Sequence, residues 1–212
     1  SAQKFIQRGQ LDKAIKEFQR IVEEDPKDVR TLLKIGDLFS KKGERENAIA
    51  TYLKLDRDFF YPTIENGNSV LRLLHYPPIP VDATGVRAGA HGDINTITLL
   101  MGAEEGGLEL LDRNGEWLPI NPPPGCIVIN IGDMLERLTN HVLPSTIHRV
   151  QNPPPERRHI PRYSTPFFLH FASDYEIKTL PNCITPDNPD RYPESITADE
   201  FLQQRLREIK LA

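Results

Sequence analysis

The pattern of apolar and polar positions divides the chain into a helical first quarter and a strand-rich remainder. In residues 1–55, apolar side chains recur at the spacing of one helix face, as at Leu11, Ile15, Phe18 and Val22. After residue 70, short apolar runs alternate with segments rich in Gly, Pro and Asn, which is typical of strands joined by turns. The two parts therefore predict different architectures.

The helical part repeats itself. The segment RGQLDKAIKEF aligns with KGERENAIATY, so that Gly9 recurs as Gly43, Ala14 as Ala48 and the aromatic Phe18 as Tyr52. A step of about 34 residues between helical units resembles the tetratricopeptide repeat, a helix–turn–helix unit. The small Gly and Ala side chains are expected to let two helices approach closely.

Only about one and a half units are present, whereas such arrays usually need about three to stand alone. Pro26 lies at the boundary between the two units. Asp28 is a candidate N-cap for the helix that carries Leu32, Leu33 and Ile35. The module could offer a groove to a peptide or protein partner, or it could serve only for packing.

The segment 56–69 lacks a clear period and ends in the turn-prone ENGNS. We expect it to link a helical module, 1–55, to a second domain, 70–212. About eight short strands in that domain predict an antiparallel sandwich or jelly roll. An amphipathic helix over 198–211 is expected to close the chain. The predicted strands are VLRLLHYP (70–77), INTITLLM (94–101), GLELLD (107–112), EWLPI (116–120), CIVINIG (126–132), STIHRVQ (145–151) and RYSTPFFLHF (162–171).

Composition narrows the classes of function. The net charge is −4, from 26 basic and 30 acidic residues, so no basic surface for nucleic acid is indicated. No apolar run approaches about 18 residues, so we expect no membrane span. The cysteines Cys126 and Cys183 form no disulfide framework, and we expect both to be reduced in a cytoplasmic protein.

The first candidate metal ligands lie in the segment HGDIN. In an extended chain, His91 and Asp93 point to the same face and present an imidazole and a carboxylate together. A catalytic metal needs at least a third ligand. The candidates are His75, His141, His148, His159 and His170.

The strand pattern favours His148. We expect its strand, 145–151, to pair with the strand over 162–171 and to bring Arg162 and Ser164 within reach of whatever His148 binds. Two histidines and a carboxylate leave coordination positions open, which is typical of non-haem Fe(II) oxygenases. Zinc is less favoured, because no HExxH or Cys-rich pattern occurs.

These motifs resemble one enzyme family. Residues 68–211 are similar to the isopenicillin-N-synthase-like branch of the Fe(II)/2-oxoglutarate-dependent dioxygenases. The matching text is LRLLHYPP, HGDINTITLL, GGLELL, GEWLPI, PGCIVINIGDMLERLTN, STIHRV, RYSTPFFLHF and PDNPDRYPESITADEFLQQRL. The resemblance implies an α+β chain with a double-stranded β-helix (jelly roll) core, a short N-terminal α-helical tetratricopeptide-like module and a C-terminal helix.

The resemblance also implies the site. His91, Asp93 and His148 would bind Fe(II), and Arg162 and Ser164 would bind the distal carboxylate of the cosubstrate 2-oxoglutarate, joined by Tyr76. The implied reaction hydroxylates or desaturates a small molecule and converts 2-oxoglutarate to succinate. We expect no nucleic-acid or membrane partner.

Several alternatives stay open. Some relatives share these ligands and the R-x-S pair without consuming 2-oxoglutarate. Family members usually carry a long N-terminal region where the repeat module stands here, and the plant-type asparagine is Leu74. The alternative function is therefore a repeat-mediated interaction protein with a truncated or inactive oxygenase domain.

The remaining side chains have weaker indications. Phe168 and His170 share the face of Arg162 and could contact substrate or belong to the core. We expect His75 to point into packing, and the two other histidines, His141 and His159, to lie in a loop and in a solvated turn.

Overall fold

The computed structural model describes residues 2–25, 28–103 and 105–210. The chain divides into two compact units, Ser1–Pro62 and Thr63–Ala212. The division falls inside the segment 56–69, where the sequence predicts a linker, and a short helix, α5 (Phe60–Ile64), spans it.

The first unit is helical, as predicted. Its helices are α1 (Ala2–Gln7), α2 (Leu11–Glu24), α3 (Val29–Lys41) and α4 (Arg45–Leu53). The apolar face of α2 packs into a core with α1 and α3, in which Ala14, Ile15 and Ile35 are almost fully buried. Pro26 and the side chain of Tyr52 lie outside the part of the chain that the structure describes.

Two local predictions for this unit have different outcomes. The N-cap is confirmed, because Asp28 accepts a hydrogen bond from the backbone N–H of Thr31 at 3.1 Å. The expected role of the glycines is wrong. A Cβ at Gly9 or Gly43 would meet nothing within 4 Å, and both residues instead supply the positive φ that the interhelical turn requires.

The second unit is the predicted jelly roll, with a major and a minor antiparallel sheet. The major sheet has the order β1-β9-β4-β7, with β2 also paired to β9, and the minor sheet has the order β3-β8-β5-β6. The strands are β1 (Val70–Leu71), β2 (Leu74–Tyr76), β3 (Ala88–His91), β4 (Ile97–Met101), β5 (Leu108–Leu111), β6 (Trp117–Pro119), β7 (Ile127–Ile131), β8 (His148–Val150) and β9 (Arg162–Leu169).

The C-terminal region adds a small ribbon and one helix, and another helix lies between β7 and β8. The ribbon is β10 (Glu176–Ile177) and β11 (Ile196–Thr197), and the helices are α6 (Asp133–Leu138) and α7 (Ala198–Glu208). The predicted closing helix is confirmed, with a capping box between Thr197 and Glu200. Helix α6 follows β7 directly and was not predicted. Among the described residues, no helix is both long and apolar enough to cross a membrane.

The predicted strand 70–77 is interrupted. Strands β1 and β2 pair with the same partner in the same register, but the break between them lies opposite Pro166 of β9. The Arg72 N–H donates to the Pro166 carbonyl at 3.0 Å, whereas proline has no N–H to donate in return. The ladder therefore loses a bond at this point.

The expected pairing of the strands that carry His148 and Arg162 is wrong. Strand β8 pairs with β3 and β5 in the minor sheet, whereas β9 pairs with β1, β2 and β4 in the major sheet. The chain crosses from one sheet to the other between these strands, as a jelly roll requires.

Candidate metal centre

The two histidines of the site come from neighbouring strands of the minor sheet. His91 ends β3, His148 begins β8, and the register pairs these two residues directly, with ring centroids 4.4 Å apart. His148 is 7% exposed, whereas the His91 side chain is 48% exposed, so the site opens to solvent on the His91 side.

The carboxylate reaches the same point by a different route from the one predicted. Strand β3 ends at His91, and Asp93 lies in the loop before β4 rather than in an extended strand. Its position comes from the start of α6, because the Asp133 N–H donates to the Asp93 carbonyl at 2.8 Å. A loop held by a helix N-terminus, and not strand alternation, therefore orients the acid.

One donor atom from each residue converges. Asp93 Oδ1 lies 4.0 Å from His91 Nε2 and 3.7 Å from His148 Nε2, and one ligand atom from each of the three lies within 4.8 Å of the others. Ligands at about 2 Å from one metal lie up to about 4 Å apart, and the 4.8 Å limit on these donor atoms exceeds that by less than 1 Å, so small side-chain movements bring all three onto one ion.

The other ring nitrogens have partners that fix the tautomers. His91 Nδ1 donates to the Gly89 carbonyl at 2.7 Å, and His148 Nδ1 donates to the Thr146 carbonyl at 3.1 Å. A carbonyl oxygen only accepts, so each Nδ1 carries a proton, and in the neutral ring Nε2 then has the lone pair that a metal requires. Partners of this kind are typical of metal-ligating histidines.

The same cavity is lined by a cation, Arg162, with an N–H donor that has no partner in the described part of the chain. Arg162 is 3% exposed and its Nε donates to the Glu105 carbonyl at 3.0 Å, but its buried Nη1 has no hydrogen-bond partner among the described residues. Burial lowers the pKa of the Arg162 guanidinium, an effect that Tyr76 partly offsets. A buried guanidinium N–H without a partner is costly, so this position suits the binding of an anionic ligand better than a place in the core without one.

The predicted cosubstrate residues surround this guanidinium. Ser164 is 7% exposed, and the Arg162 Cζ atom lies 5.4 Å from the ring centroid of Tyr76, its direct partner across the β2–β9 pair. One cavity is lined by these three residues and by His91, Asp93 and His148. The sequence-predicted ligands and carboxylate-binding residues thus share one cavity.

Of the remaining candidate residues, only some line this cavity. Phe168 lines the cavity, whereas His170 is half-buried and does not belong to the cavity lining; burial lowers its pKa. The expected place of His75 in packing is wrong, because this residue is exposed and stacks on Tyr163. His141 contacts the hydroxyl of Tyr192 at 2.6 Å, and His159 is exposed, as expected.

Sequence reasoning missed three polar residues around the acid. Thr98, Asn95 and Asn130 are each no more than 3% exposed, and Thr98 and Asn130 line the cavity. The sequence did contain a signal for two of them, because Thr98 and Asn130 are polar residues at inward-facing positions of strands that are otherwise apolar. Buried polar side chains at such positions usually have a partner or a ligand.

Comparisons with known proteins agree with this geometry. Residues 67–171 match the 2OG-Fe(II) oxygenase superfamily, and residues 29–57 match the tetratricopeptide repeat. A 2-oxoglutarate-Fe(II) type oxidoreductase of Emericella nidulans is 38% identical over 161 residues, which are 73% of this chain and 44% of that protein. The chain spans about half the length of the curated relatives it matches.

Solved structures give the same result. A 2OG-Fe(II) oxygenase family protein from Caulobacter crescentus is 80% identical, with a TM-score of 0.72 over 82% of this chain and 58% of that chain. A full-length Neurospora crassa protein, solved in complex with alpha-KG and thymine, is 33% identical, with a TM-score of 0.70 over 85% of this chain and 56% of that one.

Proposed function

Because residues 67–171 belong to the 2OG-Fe(II) oxygenase superfamily, we propose that this chain is an Fe(II)- and 2-oxoglutarate-dependent oxygenase that acts on a small molecule. The observation that carries the proposal is the convergence of His91, Asp93 and His148, whose donor atoms lie within 4.8 Å of one another. This donor set leaves coordination positions free for a cosubstrate and for O₂.

Arg162, Ser164 and Tyr76 are assigned to the distal carboxylate of 2-oxoglutarate. The unpartnered Nη1 of Arg162 and its burial support this assignment, because a planar guanidinium binds a carboxylate through two parallel hydrogen bonds. In this arrangement the guanidinium fixes one end of the cosubstrate while the metal ligands define the other.

When bound, Fe(II) and 2-oxoglutarate supply the oxidation: O₂ is consumed, 2-oxoglutarate yields succinate and CO₂, and a substrate C–H bond is hydroxylated or desaturated. The residues of this chain bind and orient. The two Nδ1 donors hold the imidazoles with Nε2 toward the metal position, and apolar side chains such as Leu100 and Phe168 keep that part of the cavity dry.

The test uses the intact chain under anaerobic conditions. Adding Fe(II) and 2-oxoglutarate should produce the weak visible charge-transfer absorption of an Fe(II)–2-oxoglutarate complex, and admitting air should then form succinate. Folded protein that binds no Fe(II) would reject the proposal. If Fe(II) binds but 2-oxoglutarate neither produces the absorption nor is consumed, only the cosubstrate assignment is wrong.

The alternative, an interaction protein with an inactive oxygenase domain, is not favoured. An inactive domain has no need to keep three ligand donors and a buried Arg162 with an unused donor in one cavity. The relatives matched over most of this chain are themselves 2-oxoglutarate-Fe(II) oxidoreductases.

For domain organisation, the proposed boundaries are a tetratricopeptide-like module at 1–55, a linker at 56–69 and the oxygenase domain with its C-terminal helix at 70–212. The helical module is assigned a peptide or protein partner. Support comes from a groove lined by Val22, Leu32 and other residues of α2, α3 and α4. We expect Leu32→Glu to abolish binding to a peptide array and to leave the Fe(II)–2-oxoglutarate absorption unchanged.

A cytoplasmic location is the proposed compartment. Cys126 and Cys183 are both free thiols, which is the usual state in a reducing compartment. Fluorescence of the tagged full-length protein in cells, compared with a cytoplasmic marker, tests this assignment.

A further inference from the structure

The Asp93 carboxylate has a second contact that the ligand set does not explain. Its Oδ1 faces the two imidazoles, whereas its Oδ2 accepts a hydrogen bond of 2.6 Å from the Thr98 hydroxyl. A carboxylate oxygen only accepts, so the hydroxyl is the donor. The Thr98 hydroxyl is buried together with the acid, which strengthens the bond and fixes the plane of the carboxylate.

The direction of the Thr98 hydroxyl is itself set by Asn95. The Asn95 amide Nδ2 donates to the Ile97 carbonyl at 2.8 Å and to Thr98 Oγ1 at 3.1 Å. Thr98 Oγ1 therefore accepts a hydrogen bond from the Asn95 amide and donates its own hydrogen bond to Asp93. Asn95 Oδ1 also lies near this hydroxyl, but at 3.4 Å it is a much longer contact than the bond to Asp93.

Asn95 is held by close backbone packing. It is 1% exposed, and a Cβ at Gly132 would lie 2.1 Å from its carbonyl oxygen and 2.7 Å from its Oδ1. The Gly132 N–H also donates to the Thr96 carbonyl at 3.0 Å. Only glycine fits at position 132, so the loop and the start of α6 hold each other in place.

Resting on the proposed function, we propose that Thr98 is a positioning residue that keeps Asp93 a one-oxygen ligand. With Oδ2 occupied by the Thr98 hydroxyl, only Oδ1 is free to bind Fe(II), and no coordination position is lost to the second oxygen. Thr98, oriented by Asn95, thereby preserves the open positions that 2-oxoglutarate and O₂ require.

The chain offers a matched control two residues away. Thr96 is buried to the same extent as Thr98, at 3% exposure, but its hydroxyl has no hydrogen-bond partner among the described residues. Thr96→Val and Thr98→Val make the same isosteric change in the same short segment, and only the second removes a contact to the acid. Thr98→Ser restores the hydroxyl.

The experiment titrates the full chain anaerobically with Fe(II), then with 2-oxoglutarate, and records the visible absorption. Thr98→Val should weaken Fe(II) binding by about 10- to 100-fold and shift the absorption maximum of the complex. Thr98→Ser and Thr96→Val should both match the wild-type protein. If Thr98 served only for packing, Thr98→Val would change the melting temperature without shifting the absorption maximum. Thr98→Ser would then have no shift to reverse.

Two results overturn the inference. One is a Thr98→Val protein with the wild-type Fe(II) affinity and absorption maximum; the other is a Thr96→Val protein that changes as much as Thr98→Val. If Thr98→Val does not fold, Thr98→Cys replaces it, since a thiol is a weak donor of similar size. Failure of the wild-type protein itself to bind Fe(II) would instead reject the proposed function.

Discussion

His91 and His148 are direct partners across the β3–β8 pair, although 57 positions separate them in the chain (148 − 91). The register places their rings 4.4 Å apart and turns each Nε2 toward Asp93 Oδ1. A rigid strand pair thus supplies two ligands in fixed relation, and a loop supplies the third. Sites built on strands are held more precisely than sites built on loops, which explains why the acid needs additional contacts.

The first prediction concerns the metal ligands. His91→Ala or Asp93→Ala should abolish stoichiometric Fe(II) binding, because the remaining two donors cannot hold the ion against water. Iron content after anaerobic loading and desalting measures the effect. His159→Ala, at an exposed position, is the control and should retain one iron per chain. Retention of full iron by the His91→Ala protein would contradict the assigned ligand set.

The second prediction concerns Arg162. Arg162→Ala should raise the 2-oxoglutarate dissociation constant at least about 30-fold, since truncating one partner of a buried charge pair costs about 2 kcal/mol or more. Fe(II) affinity should stay unchanged. Arg162→Lys should recover only part of the loss, because lysine lacks the planar fork.

The control for Arg162 is Arg207→Ala, on an exposed position of α7. Its cosubstrate titration should equal that of the wild-type protein. An Arg162→Ala protein with unchanged dependence on 2-oxoglutarate would show that another group binds the distal carboxylate.

Much of this site could be read from local sequence. Strand β9 alternates as predicted, so Arg162 and Ser164 share its buried face while Tyr163 is exposed. The helical spacing at the N-terminus and the Asp28 cap were also readable, because helix periodicity and capping depend on residues within one or two turns.

Features that depend on contacts between distant parts of the chain could not be predicted from the local sequence. The sheet partner of β8 depends on how the whole chain folds over, and adjacency along the sequence favoured β9 instead of β3 and β5. Asp93 lies in a loop that is tied to α6 by a hydrogen bond from Asp133, which is 40 positions away (133 − 93). Similarly, the role of Thr98 follows from contacts that a strand pattern does not encode.

The third prediction concerns Asn140, which anchors the C-terminal segment. It is fully buried with φ of 50°, the two N–H groups on its Nδ2 are shared among the carbonyls of Cys183, Asn188 and Pro189 at 3.1–3.3 Å, and its Oδ1 accepts from the Arg191 N–H. Asn140→Ala should lower the free energy of unfolding by about 2–4 kcal/mol, through unsatisfied polar groups and left-handed strain.

A second variant separates the two causes at this position. Asn140→Gly loses the same hydrogen bonds but adopts positive φ without strain, so it should be about 1 kcal/mol more stable than Asn140→Ala. Urea unfolding of the metal-free protein measures both variants. Equal stability of the two would assign the whole effect to the hydrogen bonds, and a wild-type value for Asn140→Ala would refute the anchoring role.

The fourth prediction concerns pH and His170. Burial lowers the pKa of His170, so the folded protein resists protonation of this ring. The unfolded chain takes up the proton first as pH falls through the ordinary histidine pKa of about 6.5. Stability from His170 is therefore fully present above that pH and is lost as pH falls toward the lower pKa of the folded state.

Replacing the ring with a non-titrating side chain should remove this dependence. His170→Gln should flatten the decline in the free energy of unfolding between about pH 7.5 and pH 5. His159→Gln, at an exposed position, should leave the decline unchanged. The comparison uses metal-free protein, and because the wild-type protein and both variants retain His91 and His148, the difference isolates His170. A His170→Gln protein whose stability falls with pH as steeply as that of the wild type would mean that other groups cause the acid sensitivity.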